Sequence, residues 1–252
     1  EALDGARVGE QAAILAYHYA RSLHQDKAVT YALLAGDEAM RLHAQTEATT
    51  SYDQALTLAP GLTDGPEAQR LQIDAILKLA AVSRSREDLA RDQASLAQAQ
   101  AMAETLEDEP RLAQVCYWQG RLAYVRGDMS GAITSAERSL AMADRLADET
   151  LAAPPTNLLG RIYTLRWDLA RGSQLMARST AQMHQLGNRV EEATAAGFAG
   201  LAFGRMGEFS QALAYGDRGV ALARELANPF AEAAALQYRG VVHDQQGAWT
   251  QA

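Results

Sequence analysis

The sequence predicts an all-α fold, a solenoid of helical hairpins, on three observations. Ala fills about a fifth of the 252 positions and aromatic residues only 6%, a composition suited to closely packed helices rather than to sheets. Six prolines leave long stretches in which nothing interrupts a helix. The third observation is a period: from Gly120, steps of 40 residues reach Gly160, Gly200 and Gly240, with Ala80 one step before. Twelve residues after those glycines stand Ala132, Gly172, Ala212 and Ala252, and eighteen after the first three stand Arg138, Arg178 and Arg218. A repeat of about 20–50 residues marks a stacked architecture in which each unit is stable only against its neighbours.

Within each unit the apolar spacing is helical on both sides of a short turn. LAQVCYWQGRLAYV pairs with GAITSAERSLAMADRL, and EEATAAGFAGLAFGRM with SQALAYGDRGVALAREL. The turn slot holds Arg126-Gly127-Asp128, Arg166-Trp167-Asp168, Met206-Gly207-Glu208 and Gln246-Gly247-Ala248 in successive units. The first of these is an Arg-Gly-Asp tripeptide, but its register makes it a turn rather than an adhesion ligand. Gly ends one helix in a left-handed conformation, and the acidic residue after it suits the positive start of the next.

A single solenoid domain over 1–252 follows, with a leading helix in 1–26. Hairpins follow over 27–60, 66–109, 110–149, 153–189 and 190–229, and 230–252 holds an incomplete hairpin. The loop PGLTDGP stretches one step of the register from 40 to 44 residues. Pro154-Pro155 and Gly172 predict that the fourth unit starts its first helix late and packs less regularly. The incomplete hairpin leaves an apolar face, with Phe230, Leu236, Val241 and Trp249, open to self-association.

Residues 29–60, VTYALLAGDEAMRLHAQTEATTSYDQALTLAP, place Gly36, Ala48, Tyr52, Ala55 and Pro60 at positions 8, 20, 24, 27 and 32 of a hairpin. This stretch resembles the tetratricopeptide repeat, which implies a right-handed superhelical solenoid; the 40-residue period is read from the glycine register. Later units carry about six residues more than the family's standard repeat and have Ser139, Ser179 and Gly219 in place of the position-27 Ala. A second resemblance covers the first sixty residues. His18, Tyr19, Lys27, Tyr31, Gly36, Asp37 and Glu47, in the setting EQAAILAYHYARSLHQDKAVTYALLAGDEAM, are similar to the junction segment of large bacterial signalling ATPases, including those fused to adenylate cyclase domains. The resemblance implies a regulatory repeat region that follows a nucleotide-binding module in a signalling protein, and the single cysteine fits a reducing, cytoplasmic compartment. The chain itself has no G-x-x-x-x-G-K-[ST] loop.

Composition narrows the chemistry. The single cysteine, Cys116, rules out an internal disulfide framework and reads as a small core residue. A net charge of −8 argues against a general nucleic-acid footprint, and no apolar run is long enough to span a membrane. The five histidines lack metal-ligand spacing, so no metal and no cofactor is expected. Glu191-Glu192 and Glu107-Asp108-Glu109 read as solvated charge near helix starts. An interaction module, not an enzyme, is expected.

The resemblance also implies where a partner binds, since in tetratricopeptide domains the first helix of each hairpin lines the concave groove. Carrying over its ligand positions selects Arg84, Tyr117, Arg121, Tyr124, Asn157, Arg161 and Arg205. Guanidinium groups interleaved with aromatic and amide groups suit acidic side chains or a terminal carboxylate. The expected partner is therefore an acidic protein or peptide, or an ATPase or cyclase domain of the same parent chain. An effector-sensing segment and a self-assembly module are the alternatives. Arg138, Arg178 and Arg218 should face away from the groove.

Overall fold

The computed structural model describes residues 5–22, 24–62, 65–82, 86–245 and 247. The described residues form α-helices, one 3-10 turn at Ala59–Gly61, and no strand. The helices are α1 (Gly5–Tyr19), α2 (Gln25–Arg41), α3 (Gln45–Leu58), α4 (Pro66–Val82), α5 (Arg86–Thr105) and α6 (Glu109–Val125). They continue with α7 (Met129–Leu146), α8 (Glu149–Leu165), α9 (Leu169–Gln185), α10 (Arg189–Arg205), α11 (Phe209–Glu225) and α12 (Pro229–Gln245). Helices α6, α8, α10 and α12 begin at residues 109, 149, 189 and 229, so the period of the sequence is the period of the helices. No described helix is long and apolar enough to cross a membrane.

The turns explain how so regular a chain is punctuated. A left-handed residue recurs every twenty positions: Glu107, Gly127, Ala147, Trp167, Gly187, Gly207, Ala227 and Gly247. After each of the first seven, the next N–H closes the finished helix by reaching back five residues, as in Asp128 to the Ala123 carbonyl at 2.9 Å and Asn188 to that of Met183 at 2.9 Å. In several turns the same residue also opens the next helix. Asp128 accepts from Gly131 N at 2.9 Å, Asn188 from Glu191 N at 3.2 Å and Asn228 from Ala231 N at 3.0 Å. Where the other turns of its 40-residue register have glycine, Trp167 holds φ +65°, a conformation that costs a residue with a side chain roughly 1–2 kcal/mol.

The chain divides into two compact units, Glu1–Leu122 and Ala123–Ala252. In the first, successive helices from α1 to α5 pack on one another. The Tyr52 ring fills the space a Cβ would need at Gly36. Its hydroxyl donates to Asp37 Oδ1 at 2.8 Å, and Lys78 Nζ meets the same oxygen at 2.6 Å. Burial pushes the Tyr52 phenol well above its ordinary value, and Asp37 adds to the rise. Arg111 donates Nε and Nη2 to Asp74 at 2.8 Å each and Nη1 to Asp108 at 2.9 Å, tying the start of α6 to α4.

In the second unit the hairpins α8/α9 and α10/α11 cross where the sequence places its small residues. A Cβ at Gly160 would lie 2.5 Å from Met176 Sδ, and one at Gly200 2.9 Å from the Ala212 carbonyl oxygen. Ser139, Ser179 and Gly219, which depart from Ala at position 27, are buried. The role of that position is smallness, and each of these residues meets it.

The fourth unit corrects an expectation. Its first helix starts on time at Glu149 and carries Pro154 and Pro155 inside it. Asp148 caps that start strongly, accepting from Thr150 N at 2.8 Å and Leu151 N at 3.1 Å. The helix is buried along much of its length, from Ala152 to Thr164. Tertiary packing thus overrides the lost backbone bonds. Gly172 does not loosen the hairpin either: a Cβ there would lie 2.6 Å from Thr164 Oγ1 and 2.8 Å from Thr164 N, so glycine permits a closer approach.

Gly172→Ala should therefore destabilise the protein. Helix propensity favours Ala by about 1 kcal/mol, but overpacking against backbone costs roughly 1–3 kcal/mol. A lowered melting temperature is expected, and a raised one would show that the crossing relaxes freely. Asp108 yields a second prediction. Burial pushes its carboxyl up, but hydrogen bonds from Arg111 N, the Arg111 side chain and Arg70 outweigh that and hold it below the ordinary range. A depressed carboxylate stabilises above its unfolded value and loses that contribution as pH falls through the folded one. The stability gap between the parent protein and Asp108→Asn, read from urea titrations, should be full at neutral pH and close below about pH 4.

Candidate functional site

In the second unit α10 packs against both α8 and α12, so these first helices lie side by side. Position 6 of the register gives Leu158, Phe198 and Tyr238 on these three helices. The Phe198 and Tyr238 rings lie 4.8 Å apart at 47°. Glycine makes room for them, since a Cβ at Gly197 would sit 2.9 Å from Tyr238 Cδ2. The Arg161 guanidinium lies over Phe198, 4.9 Å from its centroid, a cation–π arrangement strengthened where water is excluded. Arg161 Nη2 is 3.9 Å from Glu191 Oε2, at the outer limit of an ion pair. Its Nε is buried and has no hydrogen-bond partner. Burial pushes the Tyr238 phenol up, Arg161 opposes that and Tyr124 adds to it. Tyr124 and Arg161 thus act on the same phenol.

The other residues selected from the sequence fall elsewhere. Asn157 is 8% exposed and donates Nδ2 to Ser179 Oγ at 3.0 Å, a bond inside the α8/α9 hairpin. Arg205 donates Nη1 to the Thr164 carbonyl at 3.0 Å and lies 4.6 Å over the Trp167 ring, so it braces the end of α8. Tyr117 and Arg121 belong to the first unit; Tyr117 meets Trp118 edge-on at 5.0 Å, and Arg121 lies 5.8 Å over the same indole. Arg84 lies outside the described residues. Of the arginines expected to face away, Arg178 pairs with Asp144 at 2.7 Å and Arg218 with Glu192. Arg138 is exposed. On α12, Val241 is 36% exposed and Leu236 half-buried, while the Phe230 side chain and Trp249 are outside the described residues.

Sequence reasoning missed Phe198 and Tyr238. Their signal was the position-6 column Trp118, Phe198 and Tyr238, adjacent to the positions taken from the family. It also misplaced Glu192, which is not solvated charge but 2% exposed. Arg218 donates Nε to Glu192 Oε1 at 3.0 Å, and His184 Nδ1 lies 3.3 Å from Oε2. One buried carboxylate therefore ties α9, α10 and α11 together. No group of three or more potential metal ligands occurs among the described residues.

No family model and no curated protein matches the chain. Solved structures do match it in fold. BtubC from P. vanneervenii aligns with 88% of this chain and 89% of its own at 19% identity and a TM-score of 0.66. A signal-transduction ATPase with numerous domains, with a tetratricopeptide-repeat sensor, from Pyrococcus horikoshii aligns with 96% of this chain at 15% identity and a TM-score of 0.73. The aligned part is 37% of that ATPase. A Rap protein, solved with Competence and Sporulation Factor, aligns with 93% of this chain and 68% of its own at 14% identity and a TM-score of 0.69. The fold is that of tetratricopeptide-repeat proteins.

The Glu192 knot is directly testable. Arg218→Ala leaves a buried carboxylate short of a partner and should cost about 1–3 kcal/mol. Adding Glu192→Leu should recover most of that loss, because the stranded charge is then gone. A double variant no more stable than the single one would show that Arg218 acts through its alkyl packing.

Proposed function

We propose that the chain is a protein-interaction scaffold whose first-helix face in the second unit captures an acidic segment of a partner protein or peptide. The observation that carries this reading is the partly exposed Arg161 guanidinium, which meets a carboxylate only at 3.9 Å, Glu191 Oε2. A charge-assisted hydrogen bond at about 2.7–2.9 Å is much stronger than that, and a partner's carboxylate would supply one. Phe198 already stacks on the guanidinium face, so the donor edge is fixed in place for a carboxylate. The fold likeness adds support, since one neighbour was solved with Competence and Sporulation Factor and another carries its repeats as a sensor.

Sensing for an attached ATPase or cyclase domain is the second reading, favoured by the fold match to the Pyrococcus horikoshii ATPase. In either case the protein is proposed to act in the cytoplasm, through binding rather than catalysis.

A labelled peptide of alternating Glu and Leu residues with a free carboxyl terminus tests the groove. Arg161→Gln should weaken its binding at least tenfold and reduce its salt sensitivity. Arg178→Gln should do neither, because Arg178 is already paired with Asp144. Equal losses from both variants would make the effect one of net charge and refute the groove.

A further inference from the structure

The turn between α8 and α9 differs from the three others in its 40-residue register; His43, Glu107, Ala147 and Ala227 are also left-handed without being glycine, but none of them is a large apolar residue. The counterparts hold glycine at the left-handed position, Gly127, Gly207 and Gly247, where no side chain is strained. Here the position is Trp167, at φ +65° and 66% exposed. Neither helix propensity nor core packing asks for an indole at this point. Strained backbone that carries an exposed large side chain is a pattern of functional positions, where surrounding structure must hold the strain.

That support is visible. Arg205 places its guanidinium 4.6 Å over one face of the indole and anchors itself to the Thr164 carbonyl at 3.0 Å, at the negative end of α8. One ring face is thereby fixed and the rest is left in solvent. Next to it in sequence, Leu165 is 45% exposed. Arg166 is exposed and has no side-chain partner among the described residues, in contrast to Arg178 and Arg218. The one carboxylate on the same turn, Asp168, is turned to Arg171 at 3.6 Å. The next turn of the same kind exposes Met206. Trp and Arg are the residues most enriched at the energetic centres of protein interfaces.

We infer that Trp167 and Arg166 form a second docking point, on the turn edge and separate from the Arg161 groove. Its occupant is a protein segment that sets a large apolar side chain against the indole and a carboxylate against Arg166. Charge complementarity favours that occupant over an anionic lipid surface. A single carboxylate can reach Arg166 alone, whereas Asp128, Asp168 and Glu208 follow the three successive turns. A membrane would meet those carboxylates together with the arginines.

The experiment uses the whole chain with Arg161→Gln as background, so that loss at the groove and loss at the edge are read separately. The probes are the Glu/Leu peptide, its Lys/Leu counterpart and vesicles containing phosphatidylserine. Trp167→Gly installs the residue found in the sibling turns. It should leave the melting temperature unchanged or raised and weaken binding of the Glu/Leu peptide at least tenfold, with Arg166→Glu doing the same. The Lys/Leu peptide should bind neither protein. A melting temperature lowered by several degrees in Trp167→Gly would make the indole structural and overturn the proposal. Unchanged Glu/Leu binding would overturn it too, as would binding to vesicles that Trp167→Gly abolishes. If Arg161→Gln alone leaves peptide binding intact while Trp167→Gly removes it, the groove reading fails and the edge stands.

Discussion

Backbone contact at the hairpin crossing is the constraint on which the rest depends. At Gly200 an added Cβ would lie 2.9 Å from the Ala212 carbonyl oxygen and 3.2 Å from Gly216 N, and at Gly219 it would lie 3.0 Å from the Ala193 carbonyl. Two helices that meet this closely leave no freedom to slide or rotate. A 17-residue helix such as α8 or α10 spans about 25 Å and is marginal in isolation. Its stability therefore comes from the contact. Because so much of the buried surface is Ala and Gly, each residue buries little apolar area. Dispersion between atoms brought into contact has to supply what larger side chains would supply in a Leu-rich bundle. The exact spacing of the turns serves the same end, since one residue more or less would rotate a helix by about 100° and take its glycine away from the crossing.

This is also why the fold was legible. Glycine at 160 and 200 marks a helix crossing, and the turn slots follow from the same register. The proline pair was misread because helix-breaking rules are local. They describe the cost of Pro154 and Pro155, but the compensating burial of α8 from Ala152 to Thr164 comes from helices far off in sequence. Glu192 was misread for a similar reason. Its position near a helix start matches a solvated residue, while its burial depends on Arg218, 26 residues away, and on His184 at the end of α9.

The candidate site was legible only in part, and the division follows from what arginine does in this chain. Arg111, Arg178, Arg189 and Arg218 each hold a carboxylate on another helix, at separations of 26 to 37 residues. From sequence these look the same as Arg161 and Arg205, which are exposed in part and stacked on aromatic rings. Spacing names the face on which an arginine starts; the partner it finds depends on the adjacent hairpin. Asn157 shows the converse, since its register matched a groove position while its amide turned inward to Ser179.

An acidic chain with so many internal ion pairs has few cations left to attract a partner, which gives weight to the exceptions. A paired arginine contributes little at the surface, where exposed ion pairs are worth about 0–1 kcal/mol, and offers a partner's carboxylate only an exchange of one anion for another. Arg161, which meets Glu191 only at 3.9 Å, and Arg166, with no side-chain partner among the described residues, gain a bond and give up little. Each also stands beside an aromatic ring, Phe198 in one case and Trp167 in the other. Such a pair can bury apolar surface and satisfy a charge at once. Affinity on this scaffold is thus expected to come from two or three such points rather than from its net charge, which repels the same acidic partners at long range.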